Sequence, residues 1–377
     1  MKKVRVFVDV YYFKAALSGI KTYIHEFNQA SIKYGSQDIE YLFSHDLEKS
    51  ENNQIFINSK NRLIRWLFHF NYFIWKQIIL PLKLLYFKAD YLICPDYIAP
   101  ILTFKTKKII VIHDSLFWDY PKNYSSLWRK YFLFLLELGI NNKTKIVTTS
   151  NYSKTNLKDK LKTTTTINYI YQSSEKPQIF NKKTLSSLRL PKSYILHIGS
   201  FEERKDLLTL VKAFSDLKKN QSNKNLKLIL AGAVIVNGNK KVYNKIKSFI
   251  DNNNLDSDVI FPFFISNEDL SIYYKNALVY VFPSIDEGFG IPIIESFSYS
   301  TPVVCSNIPV FKEIGNDAVV YFEKGNFISL SEKIQELINS KELREKFVAK
   351  GEVQLKNFSR KKFIEGFENI IYNWDEK

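Results

Sequence analysis

Residues 283–303, PSIDEGFGIPIIESFSYSTPV, decide how this chain is read. Two carboxylates, Glu287 and Glu295, bracket a stretch that holds Gly288, Gly290 and Pro292 and ends in the apolar pair Ile293 and Ile294. The run before it, VYVFPS, is β-branched and aromatic, which predicts a buried strand ending at Pro283. Gly288 and Gly290 let the backbone approach a ligand closely, and Pro292 suits a first helical position, where its missing N–H costs nothing. The stretch therefore reads as strand, glycine loop and helix. The helix N-terminus should lie at the strand ends, where its amides and the positive end of its dipole favour a phosphate. Glu295, about one turn in, is placed to accept hydrogen bonds from ribose hydroxyls, and Glu287 to reach a second polyhydroxylated ring. Taken alone, such a pair of acids also fits a surface loop with a capping carboxylate, so the flanking sequence has to decide.

Working outward, the second half of the chain repeats the same alternation. YILHIGS is a strand and DLLTLVKAFSDLKK a helix with Leu207, Leu210, Val211 and Phe214 on one face, and between them lies FEERK. There Arg204 supplies a planar fork for phosphate oxygens and Lys205 a mobile point charge, unless the cluster is merely a solvated charged turn. LKLILAGA, DVIFPFF and AVVYF continue as strands, with helices between them, and three helices close the chain. The first half opens with the strand VRVFVDV and a loop to Ser18 and Gly19, after which a helix begins. EYLFS, QIFIN, DYLIC, KKIIVIHDS, KIVTTS and TTINYIY read as further strands. His113 and Asp114 end one of them, at the carboxyl edge where open α/β sheets bind ligands. Residues 172–192 are polar, weakly patterned and hold Pro177 and Pro191, which predicts a linker.

EGFGIPIIE followed by TPVV resembles the donor-binding signature of the retaining glycosyltransferases of family 4, and IGSFEERKDLLTLVKAF resembles that family's phosphate loop. The resemblance is strong over 194–322 and weak before Lys108. It implies an α/β chain of the GT-B fold, with two Rossmann-like doubly wound domains facing across a cleft. Residues 1–171 would be the acceptor-binding domain, 172–192 the linker, 193–357 the nucleotide-sugar domain, and 358–377 a helix crossing back to the first. It further implies that Arg204 and Lys205 neutralise the donor diphosphate together with the helix start at Phe289 and Gly290. Glu295 would hold the ribose, Glu287 the sugar hydroxyls, and His113, in a VIHD run followed by Pro121, would contact the donor sugar. Gly19 either meets the donor phosphates or makes a plain turn. This chain departs from the family pattern at Ser18, which stands beside a single glycine, at Ser200 in place of an arginine, and at 172–175, which lacks an Asn-Gly-Val-Asp-like turn. Ser300 stands for a glycine and Arg360 for a tryptophan.

A chain of 377 residues, 45% apolar and 15% aromatic, can bury two cores. It has no uncharged apolar run of about 18 residues, and its first residues, MKKVRVFVDV, alternate like a strand, which predicts a cytoplasmic protein. Cys94 and Cys305 sit in apolar contexts and read as buried thiols. The formal charge is +16, and residues 1–180 carry 26 Lys and Arg against 14 Asp and Glu. Such a basic half attracts polyanions: nucleic acid, an anionic membrane or a phosphorylated substrate. Residues 61–88 interleave Arg62, Arg65, Lys76, Lys83 and Lys88 with aromatic rings, and Pro81 should break or kink any helix there. That segment either lies on an anionic bilayer surface or faces the domain core.

The expected activity is transfer of a hexosyl unit from a UDP- or GDP-sugar to a hydroxyl of a glycan in surface-polysaccharide or lipopolysaccharide synthesis, with peripheral contact at the inner membrane if the acceptor is lipid-linked. No cofactor and no metal are expected. Asp256 and Asp258 form an Asp-x-Asp but follow NNNL in a turn, and no His or Cys cluster offers a metal site. A sugar-nucleotide epimerase of the same fold would share the donor site. A dehydrogenase is disfavoured because no G-x-G-x-x-G follows the first strand. A non-catalytic nucleic-acid or membrane binder would explain the charge but not the ordered carboxylates, so no specific nucleic acid is expected.

Overall fold

Each strand of the computed structural model is three to five residues long and parallel to its neighbours, as apolar segments joined by helical crossovers require. The structure describes residues 3–16, 19–51, 62–174, 188, 190–232, 239–263 and 265–376. The predicted strand QIFIN and Ser18 lie outside these residues. The chain divides into two units, one of residues 1–174 with 358–377, the other of 175–357.

In the first unit, strands β1 (Val4–Val8), β2 (Ile39–Phe43), β3 (Tyr91–Cys94), β4 (Lys107–Val111), β5 (Thr144–Thr148) and β6 (Ile167–Tyr169) form one sheet in the order β2-β1-β3-β4-β5-β6. Alternation along the strands gives the sheet two apolar faces. Val6, Val8, Ile109 and Val111 join one core, while Phe7, Leu92, Ile110 and Ile146 join another. Helix α1 (Gly19–Tyr34) and the C-terminal helix Arg360–Tyr372 cover the first face. Phe27 meets Phe367 edge to face at 5.0 Å between centroids, and Tyr23 meets Phe363 at 5.1 Å. At the head of that last helix, Arg360 grips both oxygens of the buried Glu26 carboxylate at 2.9 Å, and Ser173 donates to the same group at 3.1 Å. The polar stretch expected to begin the linker is thus partly internal: Gln172, Ser173 and Ser174 are buried in the first unit.

The second face is covered by α2 (Arg62–Ile74), a π-helical turn at Trp75–Ile79, α3 (Leu80–Tyr86) and α4 (Ser126–Gly139). Pro81 does not break this segment. The wider π turn just before it shifts the carbonyl ladder, so the proline, at the start of α3, finds no bond to lose. Lys76, expected among the surface cations, points inward. Its Nζ lies 2.7 Å from Asp9 and 2.6 Å from Asp96, at the carboxyl ends of β1 and β3, with all three side chains sealed from solvent. Tyr72 donates to Asp96 at 2.8 Å, and the Trp75 indole N–H to Asp9 at 3.0 Å.

The second unit holds β7 (Tyr194–Ile198), β8 (Lys227–Ala231), β9 (Val259–Phe263), β10 (Val279–Phe282), β11 (Val303–Ser306) and β12 (Val320–Phe322), in the order β12-β11-β10-β7-β8-β9. β7 and β10 are neighbours at its centre, so the loops that follow them are brought together although some 80 residues separate them in sequence.

Candidate active site

The loop after β7 runs through Gly199 into a short turn at Glu203–Lys205, then into α5 (Leu207–Leu217). Gly232, after β8, has a φ of +148°, and a Cβ there would lie 1.7 Å from the Gly199 carbonyl oxygen. Only glycine allows these two strand ends to press together. The loop after β10 runs from Pro283 to Gly290 and enters α6 (Ile291–Ser298). Gly290 is the residue before the helix, with a φ of +130°. Pro292 is at the second helical position, one later than the sequence suggests, and also lacks a donor to satisfy. The Ile293 amide bonds the Gly290 carbonyl at 2.9 Å, and the helix starts there with the positive end of its dipole at Gly290.

A backbone hydrogen bond of 2.8 Å from Ile285 to the Arg204 carbonyl staples the two loops together. Their side chains then converge. Arg204 Nη1 lies 2.7 Å from Glu287 Oε2, Lys205 Nζ pairs with Glu287 Oε1, and Ser284 Oγ donates to the same oxygen at 2.8 Å. Arg204 Nε also bonds Glu202 at 2.8 Å. Burial would raise the Glu287 carboxyl, but Arg204 and Lys205 outweigh it and hold it at about 2. Burial lowers the Lys205 ammonium, with Glu287 opposing. The side chains of Arg204, Lys205 and Glu287 are 10–14% exposed, packed yet within reach of a ligand. Two cations and two carboxylates leave the cluster neutral.

Glu295 is buried on α6 and accepts a hydrogen bond from the Tyr274 hydroxyl at 3.1 Å. Phe289 is buried. Sequence reasoning missed Tyr274, Ser284 and Glu202. Ser284 carries a signal, being three residues from Glu287 across the loop, and Glu202 another, beside the basic pair. Tyr274 carries none. Beneath the cluster, the buried His197 donates from Nδ1 to the Val281 carbonyl at 2.9 Å, and burial lowers its pKa to about 4.

Two predicted residues belong to the first unit. Gly19 opens α1 with open space where a Cβ would stand. His113 follows β4, and its Nε2 lies 2.7 Å from the Pro95 carbonyl. A carbonyl only accepts, so Nε2 carries the proton and Nδ1 is an acceptor. Burial pulls this imidazole down to about 4, which the Pro95 bond only partly offsets, so it is neutral at physiological pH. Asp258 pairs with Lys218 and Lys227, and Asp256 with Lys247, so both members of the Asp-x-Asp serve local ion pairs.

Residues 178–354 match the family described as glycosyl transferases group 1. The chain is 29% identical over 269 residues to the O-antigen chain mannosyltransferase RfbU of Salmonella typhimurium, covering 70% of this chain and 68% of that one. Among solved structures, sucrose-phosphate synthase of Thermosynechococcus elongatus aligns at a TM-score of 0.70 with 16% identity, covering 99% of each chain. HepE of Anabaena, solved with UDP and glucose, aligns at 0.70 with 14% identity over the full length of both. Its two parallel six-stranded sheets and its full-length match to these structures give the chain the GT-B fold, and residues 178–354, within its second unit, are similar to the group 1 glycosyl transferases.

Proposed function

We infer that the chain moves a hexosyl unit from a UDP- or GDP-sugar to a hydroxyl of a growing surface glycan, retaining anomeric configuration and needing no metal. The observation that carries this reading is the convergence of Arg204, Lys205 and Glu287 beside the N-terminus of α6. RfbU, named for O-antigen mannosyl transfer, supports a hexosyl donor and a polysaccharide acceptor, and HepE, solved with UDP and glucose, supports a nucleotide-sugar site on this fold.

As the glycosidic bond breaks, negative charge collects on the leaving diphosphate. Arg204, Lys205 and the helix N-terminus would stabilise it in a fixed, preformed arrangement, the role that a divalent ion plays elsewhere. A bound diphosphate would share the two cations with Glu287, whose carboxylate would then accept sugar hydroxyls. Held at about 2, Glu287 stays ionised and is a poor proton acceptor, which fits a binding role and leaves the acceptor's proton to the departing phosphate oxygen on the same face. Glu295 would hold the ribose, and neutral His113 would accept from a sugar hydroxyl through Nδ1.

The test is diphosphate release from UDP- and GDP-hexoses in chelator, with and without a bacterial glycan acceptor, followed by NMR of the product's anomeric centre. Acceptor-dependent release and a retained anomer are expected. Release without acceptor would indicate the epimerase instead, and an inverted product or an absolute need for magnesium would contradict the mechanism.

A further inference from the structure

About two thirds of the large apolar side chains exposed among the described residues fall between 66 and 138, all in the first unit. They form stripes. On α4, Leu127, Tyr131, Phe134 and Leu138 follow one another at helical spacing and point to solvent, Leu127 with 83% of its surface exposed, while Leu135 and Leu136 on the opposite side fill the core. On the neighbouring segment, Ile78, Leu82, Leu85 and Tyr86 are exposed, Tyr86 at 80%, while Leu80 and Leu84 are buried. Upstream on α2, the exposed rings of Trp66 and Phe70 stack at 5.5 Å.

These stripes belong to one surface, because both helical segments cover the same face of the first sheet. Phe73, Leu80 and Leu84 share their core with Phe132, Leu135 and Leu136. His69 of α2 lies 6.3 Å from Trp128 of α4. The loop between them is anchored at both ends: Gln77 accepts from the Ile101 amide at 3.0 Å, and Lys143 donates to the Phe104 carbonyl at 2.6 Å. Leu102 and Phe104 in that loop are exposed as well. An apolar surface of this extent, bare to water, marks a docking face.

Its charge selects the partner. No Asp or Glu occurs in 52–89 or in 97–113, whereas Lys83, Lys88, Lys105, Lys130 and Lys143 border the apolar residues. The acids nearby are Glu137 on α4 and Asp90, which accepts from the Arg5 amide at 2.9 Å. A second copy of this chain would bring two basic rims together, which repel. No helix among the described residues is long and apolar enough to cross a bilayer. Rings and aliphatic chains at headgroup depth, with lysine stems reaching up to phosphates, fit a surface that lies on an anionic leaflet.

We propose that α2, α3, α4 and the 101–105 loop together form a face that docks the enzyme on an anionic phospholipid surface. The face is broader than the basic 61–88 segment, and α4 is its most exposed part. Only the last step, that the acceptor hydroxyl belongs to a lipid-linked glycan, rests on the glycosyltransferase reading.

The experiment sediments the full chain with vesicles of phosphatidylglycerol and phosphatidylcholine in equal parts, or of phosphatidylcholine alone, in low and high salt. Binding at least tenfold stronger to the anionic vesicles, weakened by salt, is expected. Leu127→Asp combined with Phe134→Asp should reduce it at least tenfold while thermal unfolding and UDP binding stay as in the wild type, since both residues face solvent. As a readout free of charge substitutions, vesicles with brominated acyl chains should quench tryptophan emission, and Trp66→Phe combined with Trp128→Phe should remove most of the quenchable part, both residues lying on the proposed face and Trp75 being buried. The proposal fails if the wild type stays in the supernatant with anionic vesicles in low salt, or if the double variant sediments as the wild type does. It also fails if the chain is a dimer in solution that the double variant dissolves, for then a second copy covers this face. UDP titration of the same samples separates the two readings: lost sedimentation with intact UDP binding removes the docking face alone, and sedimentation without nucleotide binding removes the proposed function alone.

Discussion

Both units place a lysine between or beside carboxylates at the carboxyl ends of parallel strands, yet the two clusters differ in their access to solvent. In the first unit, Lys76, Asp9 and Asp96 are fully sealed, with Tyr72 and Trp75 bonded to the two carboxylates. In the second, Arg204, Lys205 and Glu287 keep 10–14% of their surface and border a glycine turn and a helix N-terminus. On the proposed function, the same ion-pair chemistry is structural where solvent is excluded and would serve binding where the side chains keep some exposure. Strand-end position alone does not mark a site; access does.

The comparison breaks most visibly through the lysines. Lys76→Met strands two buried carboxylates and should cost about 3–5 kcal/mol, a fall of roughly 10 °C in the first unit's thermal transition, with nucleotide affinity of the surviving fold unchanged. Lys205→Met should do the reverse: Arg204 still pairs with Glu287, so unfolding shifts less, while affinity for a nucleoside diphosphate falls at least tenfold. Equal stability losses would mean that the two clusters are not different in kind.

Acid sharpens the comparison further. Glu287 is held at about 2, below the usual carboxylate value of 4.5. A depressed carboxyl stabilises the fold at pH values above its unfolded pKa, and that stabilisation is lost as pH falls through its folded one. The loss should amount to on the order of 3 kcal/mol between about pH 5 and 2. Urea midpoints measured over that range should fall more steeply for the wild type than for Glu287→Gln; parallel curves would show that the cations do not hold this carboxylate.

The smallest effect concerns Ser300, where the family resemblance expects glycine. The structure places Ser300 in the left-handed region, at a φ of +54°. Ser300→Gly should therefore stabilise the second unit by roughly 0.5–1 kcal/mol, seen as a rise of a few degrees in its melting transition, with donor affinity unaltered.

The alternation of strands and helices was legible because each signal is local: apolar runs, glycine turns and helical spacing lie within a few residues of one another. So were Arg204, Lys205, Glu287 and Glu295, which stand in contiguous motifs. What depends on distant pairing was not. Lys76 read as a surface cation because Asp9 lies 67 positions away, and Glu295 gave no sign of Tyr274. The outward stripe of α4 was hidden for another reason: SLWRKYFLFLLELG is apolar around most of its circumference, so periodicity could not say which side the sheet would cover. Pro81 pointed to an irregular stretch of helix, but not to a π turn at Trp75–Ile79 that carries the chain through it without a break.

The central claim, that the second unit holds a nucleoside diphosphate through Arg204, Lys205 and Glu295 without metal, is tested most directly by calorimetric titration. UDP, GDP and ADP would be titrated into the wild type and into Glu295→Ala, first in chelator and then in magnesium. Micromolar binding of one diphosphate, weakened at least tenfold by the substitution and unchanged by magnesium, is the predicted result. Binding that appears only with magnesium, or that Glu295→Ala leaves intact, would contradict the account.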